Sequence, residues 1–210
     1  MNLNLIVLAK SDKHTGYCVA GIDEFGNFIR LVRDKESHAL SKEQCKFNKL
    51  DFLTINATSA PLKHQRENFI LDALIRYRKS TISVENLKKY IQNPEFIFSS
   101  ISPWLSEKEI NRQKISFLFV EVTYLHIYEN HEGKYKCDFT YNNRDYKGFS
   151  ITDPKFKLKN KKIYSAAILV SLPDTPYNRY GSELYYKFIC AIYPIENSKK
   201  LDEIDCYKIL

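Results

Sequence analysis

The sequence predicts a mainly β protein in which two strand-rich stretches flank a helical connector, and three observations predict it. Tyr (15) and Phe (13) are abundant while Met (1) and Gly (6) are scarce, so the apolar matter is aromatic and β-branched and suits pleated sheets better than helices. The apolar runs are short and bounded by turn residues. That texture breaks near residue 80 and returns near residue 115. With 210 residues the chain can hold one large domain or two of about 100 residues, and pattern alone leaves two small barrels or one composite β body open.

Leu3 to Leu8, Tyr17 to Ile22 and Asn27 to Val32 read as three consecutive strands, with Asp23-Glu24-Phe25-Gly26 as the turn before the third. Leu50 to Ala57 alternates and reads as a fourth. Asn68 to Tyr77 fits a strand or a helix, and its β-branched content favours a strand. In the connector, Ser83 can cap a helix carrying Leu87, Tyr90 and Ile91 and ending before Pro94, and Ser106 with Glu109 forms a capping box for a second. Between them Pro103 and Trp104 suggest a loop that docks its indole on the body. Ser116 to Tyr128, a turn at Asn130 to Gly133 and Lys134 to Tyr141 read as a hairpin. Lys155 to Tyr164, partly alternating, then Ala166 to Leu172 and Tyr185 to Tyr193 supply further strands, and the tail from Glu196 is polar.

A hydrophobic share of 44% against 27% charged residues predicts a folded chain. The net charge of +7 suits a polyanionic partner or a merely solubilising surface. Cys18, Cys45, Cys137, Cys190 and Cys206 are odd in number, widely spaced and never in a CxxC pair, which predicts reduced thiols rather than a disulfide framework or zinc ribbon. Without a signal-like N-terminus or an apolar run of about 18 residues, a cytoplasmic, non-membrane location is expected.

At LAKSDKHTGYCVAGID and GNFIRLV the chain resembles a family of largely uncharacterised bacterial proteins containing a dual OB domain. The similarity continues in order at HQREN (64–68), ITDP (151–154), LVSL (169–172) and YKFI (186–189). It implies two OB-like β-barrels, placed by the pattern above at 1–79 and 115–210, the latter with a C-terminal extension, around the connector at 80–114. It implies no established activity.

Several groups are candidate sites, each with a plainer reading beside it. The segment Lys10-Ser11-Asp12-Lys13-His14-Thr15-Gly16 can hold a phosphate through ammonium groups and amides, or be a solvated hairpin turn with Gly16 at positive φ; it lacks the glycines of a P-loop. Arg30 and Arg33 point to opposite faces of their strand, and Arg30, between Ile29 and Leu31, is the stronger candidate for a groove. His64, Gln65, Arg66, Glu67 and Asn68 can read bases or orient a substrate, or tie two strands together. His126, His131 and Cys137 are spread along a hairpin with no fourth ligand, so no metal is expected.

The densest basic run is Lys155, Lys157, Lys159, Lys161 and Lys162, expected as a row on one strand face that tracks a phosphodiester backbone or guards a sheet edge. Tyr135, Tyr141, Tyr146 and Tyr164 lie near it in sequence and can stack bases or fill the core. No specific catalytic motif occurs. The expected function is a non-catalytic nucleic-acid-binding module for single strands or structured ends, using Lys10, Lys13, His14, Arg30, the lysine row and Tyr164, with no cofactor. The alternatives are a nucleotide- or phosphate-handling enzyme, or an accessory subunit with a protein partner.

Overall fold

The computed structural model describes residues 1–13, 16–79, 82–156, 160–179 and 181–195. The first stretch forms β1 (Asn2–Lys13), β2 (Gly16–Asp23), β3 (Phe28–Val32), β4 (Phe52–Ser59) and β5 (Asn68–Arg78), closed into a barrel in the order β1-β2-β3-β5-β4. The connector supplies α1 (Val84–Leu87), 3-10 turns at Lys88–Tyr90 and Ile97–Ser99, β6 (Trp104–Ser106) and α2 (Glu107–Ile110). There follow β7 (Phe117–Glu129), β8 (Tyr135–Tyr141), β9 (Arg144–Ile151), a 3-10 turn at Pro154–Phe156, β10 (Lys161–Ser171), β11 (Tyr177–Arg179), β12 (Ser182–Tyr186) and β13 (Phe188–Pro194). A second closed barrel has the order β7-β8-β9-β13-β10, and β11, β12 and β6 make a separate sheet.

Both barrels share one wiring. The third strand pairs in parallel with the fifth (β3 with β5, β9 with β13), and the other pairings are antiparallel. This is the five-stranded OB pattern, twice.

The packing explains why the strands read as unbroken apolar runs. In β1, Leu5 and Val7 face the interior of the first barrel while Ile6 and Leu8 face the second. In β7, Leu118 and Val120 fill the second barrel while Phe117 and Phe119 face the first; in β10, Ile168 and Val170 alternate in the same way with Ala167 and Leu169. Successive side chains point to opposite faces, so a strand buried on both faces must be apolar at every position. The barrels therefore share a third core between them, to which Tyr193 adds a hydroxyl that donates to the Leu8 carbonyl.

The capping box expected at Ser106 is formed, whereas the helix expected after Ser83 is a single α turn that runs into the 3-10 turn at Lys88–Tyr90, with Ile91 already in extended backbone. Ser106 N donates to Glu109 Oε2 at 2.8 Å and Ser106 Oγ accepts from Glu109 N at 3.4 Å. Leu87 of α1 is buried in the core between the barrels.

Several other expectations need correction. Lys10 to Lys13 lie in β1, which runs on past Leu8, rather than in a loop; His14 and Thr15 of the expected loop fall outside the described residues. Gly16 has no positive φ; it is required because a Cβ there would lie 2.1 Å from the Leu40 oxygen. Trp104 does not sink into the body but pairs in β6 with Tyr186 and stays 39% exposed. Lys155 is in a 3-10 turn, and a strand begins only at Lys161, so no strand runs through Lys155 to Tyr164. Strand β9 was not expected: Asn142 and Asn143, both at positive φ (48° and 57°), make the tight turn that starts it.

Candidate functional site

Of the residues singled out by sequence, Arg30 and most of the HQREN segment meet at the seam between the barrels. Arg30 extends from β3 into the second barrel, where its guanidinium donates to Ser116 Oγ at 2.6 Å, Ser171 Oγ at 3.2 Å and the Leu172 carbonyl at 3.2 Å. It lies 4.0 Å from the centre of the Phe117 ring and is only 4% exposed. Its other nitrogen meets Cys18 Sγ at 3.3 Å.

The HQREN segment is the connection between β4 and β5, and it faces the same seam. Glu67 Oε1 accepts from Ser116 N at 3.0 Å and from Ser116 Oγ. Gln65 Nε2 donates to the Leu172 carbonyl at 3.2 Å, and Asn68 Nδ2 donates to Gln65 Oε1 at 3.2 Å and Ser37 Oγ at 3.1 Å. Burial holds His64 below the ordinary histidine pKa, and the neutral ring, with its proton assigned to Nε2, donates to the Pro173 carbonyl at 2.7 Å. Arg66 alone of the five is exposed. The ITDP segment closes the seam elsewhere: Asp153 Oδ2 accepts from Lys49 Nζ at 2.7 Å and from Ile192 N at 3.1 Å.

Beside this seam opens a cavity of about 490 Å³. One wall is the end of β1 with Lys13, together with Cys18 and Arg30; the other is the connection from β10 to β13, with Asp174, Tyr177 and Tyr186. Lys13 Nζ lies 3.1 Å from Asp174 Oδ1 and keeps 30% of its side chain exposed. Three rings run along the second wall and its flank: Tyr177 meets Tyr186 edge-on at 6.0 Å, and Tyr186 meets Trp104 edge-on at 6.0 Å. The sheet of β11, β12 and β6 sets that spacing, because β6 reaches over from the connector to pair Trp104 with Tyr186. Tyr177, which lines the cavity, is 62% exposed.

The other candidates lie elsewhere. Lys10 Nζ is held by the carbonyls of Cys45 (2.7 Å) and Phe47 (2.9 Å) and sits 4.4 Å from the Tyr17 ring centre, committed to the first barrel. Arg33 bridges Asp34 at 3.2 Å. Lys155 is exposed, Lys161 lies 5.9 Å from the Phe156 ring, and Tyr164 is exposed on the outer face of the second barrel. His14, Lys157, Lys159 and Cys206 fall outside the described residues. Tyr141 and Tyr146 are core residues. Cys137 is buried in that core while His131 sits 90% exposed on a turn, so the three do not converge. Cys18, Cys45, Cys137 and Cys190 are free thiols.

The sequence reading missed Tyr177, Tyr186 and Trp104 as a group. The one local signal was the Asn178 to Gly181 stretch between two tyrosine-bearing runs, a hairpin cue; the third partner comes from a strand some 80 residues earlier, which no local pattern reveals.

Residues 3–192 match the model of a family described as a dual OB-containing domain. No curated protein matches the chain.

Proposed function

The chain belongs to the dual OB-containing domain family, and from that premise we propose that it is a non-catalytic module that binds single-stranded nucleic acid in the cleft between its barrels. The observation that carries the reading is the row of rings Tyr177, Tyr186 and Trp104 beside Lys13. OB folds take oligonucleotides between the loop joining strands 1 and 2 and the loop joining strands 4 and 5. Here the first barrel contributes the end of its first strand and the second barrel the connection between its fourth and fifth strands. The first barrel's own connection of that kind is occupied by the second barrel through His64, Gln65 and Glu67. A base stacked on an aromatic ring contributes about 1–3 kcal/mol, and stacking tolerates any sequence. Lys13, once released from Asp174, reaches a phosphate.

An enzyme using Lys13 with the His64 to Asn68 cluster would need both in one concave site. Lys13 lines the cavity and none of those five residues does; His64 Nε2, Gln65 Nε2 and Glu67 Oε1 are engaged across the seam. The test is anisotropy of a labelled oligothymidylate against the intact chain over a salt series. Binding that weakens with salt and is lost in Tyr177→Ala/Tyr186→Ala supports the reading, and absence of binding at low salt overturns it.

A further inference from the structure

Tyr124 holds a backbone conformation that tyrosine avoids, for a side chain the core does not use. Its φ is 50°, in the left-handed region that favours glycine, and its ring is 50% exposed. It lies in a bulge of β7, where the pairing with β8 shifts register between Thr123 and His126. The bulge has an architectural reason, since β7 must bend to pair with β8 on one side and β10 on the other. The backbone there would suit glycine without strain, and the ring that takes its place is half-exposed rather than part of the core.

The bulge does aim the ring outward beside Tyr164, which is 41% exposed and meets it edge-on at 6.4 Å. Lys162, exposed one step away on β10, pairs in register with His126, which lies 5.5 Å from the Tyr128 ring. The nearest acid on β8, Asp138, is engaged by the Tyr128 hydroxyl at 3.1 Å and the Gly148 amide at 2.8 Å. Two outward rings with Lys162 on the same strand face as Tyr164, on a chain of net charge +7, make a surface complementary to unpaired bases on a phosphate backbone.

We propose that this outer face of the second barrel, centred on Tyr124 and Tyr164, is a second contact for the same single strand. The inference rests on the strand-binding reading of the cleft and extends it: the ligand is a strand long enough to leave the cleft and run along the barrel. Tyr164 and Ser171, the latter at the cavity, are seven residues apart on β10, about 23 Å. A short oligonucleotide reaches one contact, and a longer one joins both and gains from the high effective concentration of its second part.

The experiment compares oligothymidylates of about 6 and about 20 nucleotides against the intact chain, Tyr124→Ala/Tyr164→Ala, Tyr124→Gly and the cleft variant Tyr177→Ala. The expected result is that the outer-face double variant binds the long strand about tenfold more weakly and the short one unchanged, whereas Tyr177→Ala weakens both. Tyr124→Gly should raise the melting temperature while losing long-strand affinity, because glycine relieves the strain and removes the ring. Unchanged long-strand affinity in the double variant, with Tyr177→Ala still harmful, overturns this inference and leaves the cleft reading standing. Loss of both effects overturns the cleft reading as well. A melting temperature lowered by Tyr124→Gly, or a dimer that Tyr124→Ala dissolves, assigns the ring to structure or self-association and also overturns the proposal.

Discussion

Arg30 of the first barrel donates a 2.6 Å hydrogen bond to the hydroxyl of Ser116 in the second, and Ser116 in turn donates to Glu67 of the first. The chain of contacts crosses the seam twice and holds a buried cation and a buried carboxylate around one serine. Among the described residues Glu67 Oε2 and Arg30 Nε have no hydrogen-bond partner, so each charge relies on the other, 4.0 Å away.

Removing one member should therefore cost more than removing both. Arg30→Met leaves the Glu67 carboxylate buried without a countercharge, at about 3–5 kcal/mol, whereas Arg30→Met with Glu67→Gln should recover a large part of it. Urea unfolding midpoints of the three proteins check this; equal losses in the single and double variants would refute the coupling.

The Lys49–Asp153 pair should behave in the same way at the far side of the seam. Both side chains are largely buried, 13% and 3% exposed, and Asp153 also receives the Ile192 amide. Asp153→Ala and Lys49→Met should each lower stability by about 3–5 kcal/mol, Asp153→Ala by the larger amount because it also strips the Ile192 amide of its acceptor. Thermal melts of the two variants decide it.

Lys187 gives a pH dependence with a definite sign. Its side chain is fully buried, Nζ donates to the carbonyls of Ile97 (2.7 Å) and Ser100 (2.7 Å), and burial pulls its pKa down to about 7. In the unfolded chain the amine keeps its proton up to about 10.4. Between these values the unfolded state binds more protons, so this group's contribution makes stability rise with pH above about 7, and the full penalty is present below it. Urea midpoints at pH 6.5 and 9 should differ by less in Lys187→Met than in the parent; an identical pH slope in both would rule the lysine out.

Lys13→Ala tests the electrostatic part of the cleft apart from its rings. It should weaken oligonucleotide binding and reduce the log–log salt slope by about one, while Tyr177→Phe, which keeps the ring, leaves both unchanged. A salt slope unaltered by Lys13→Ala would show that the ammonium stays with Asp174.

Much of the fold was legible. The strands of the first barrel, the Ser106 capping box and the apolar run of β10 followed from periodicity and turn chemistry, because each is set by neighbours in the chain. The run from Lys155 to Tyr164 misled because alternation of lysine with apolar residues satisfies a strand template whether or not a partner strand is present; Pro154 instead opens a 3-10 turn. HQREN was legible as a hydrogen-bonding cluster that ties strands together, but the strands it ties belong to different barrels, which spacing does not encode.

By itself, then, the sequence determined which segments extend and where the Ser106 capping box starts a helix, since local sterics and the period of two are written residue by residue. Only the tertiary structure decided that β1, β7 and β10 are buried on both faces and meet in a shared core, that Arg30 and Glu67 share Ser116 across the seam, and that Tyr177 and Tyr186 line one cavity with Lys13 while Trp104 abuts Tyr186. Those relations join residues dozens of positions apart. They arise from closing two barrels and docking them, a cooperative outcome of the whole apolar pattern rather than of any stretch within it.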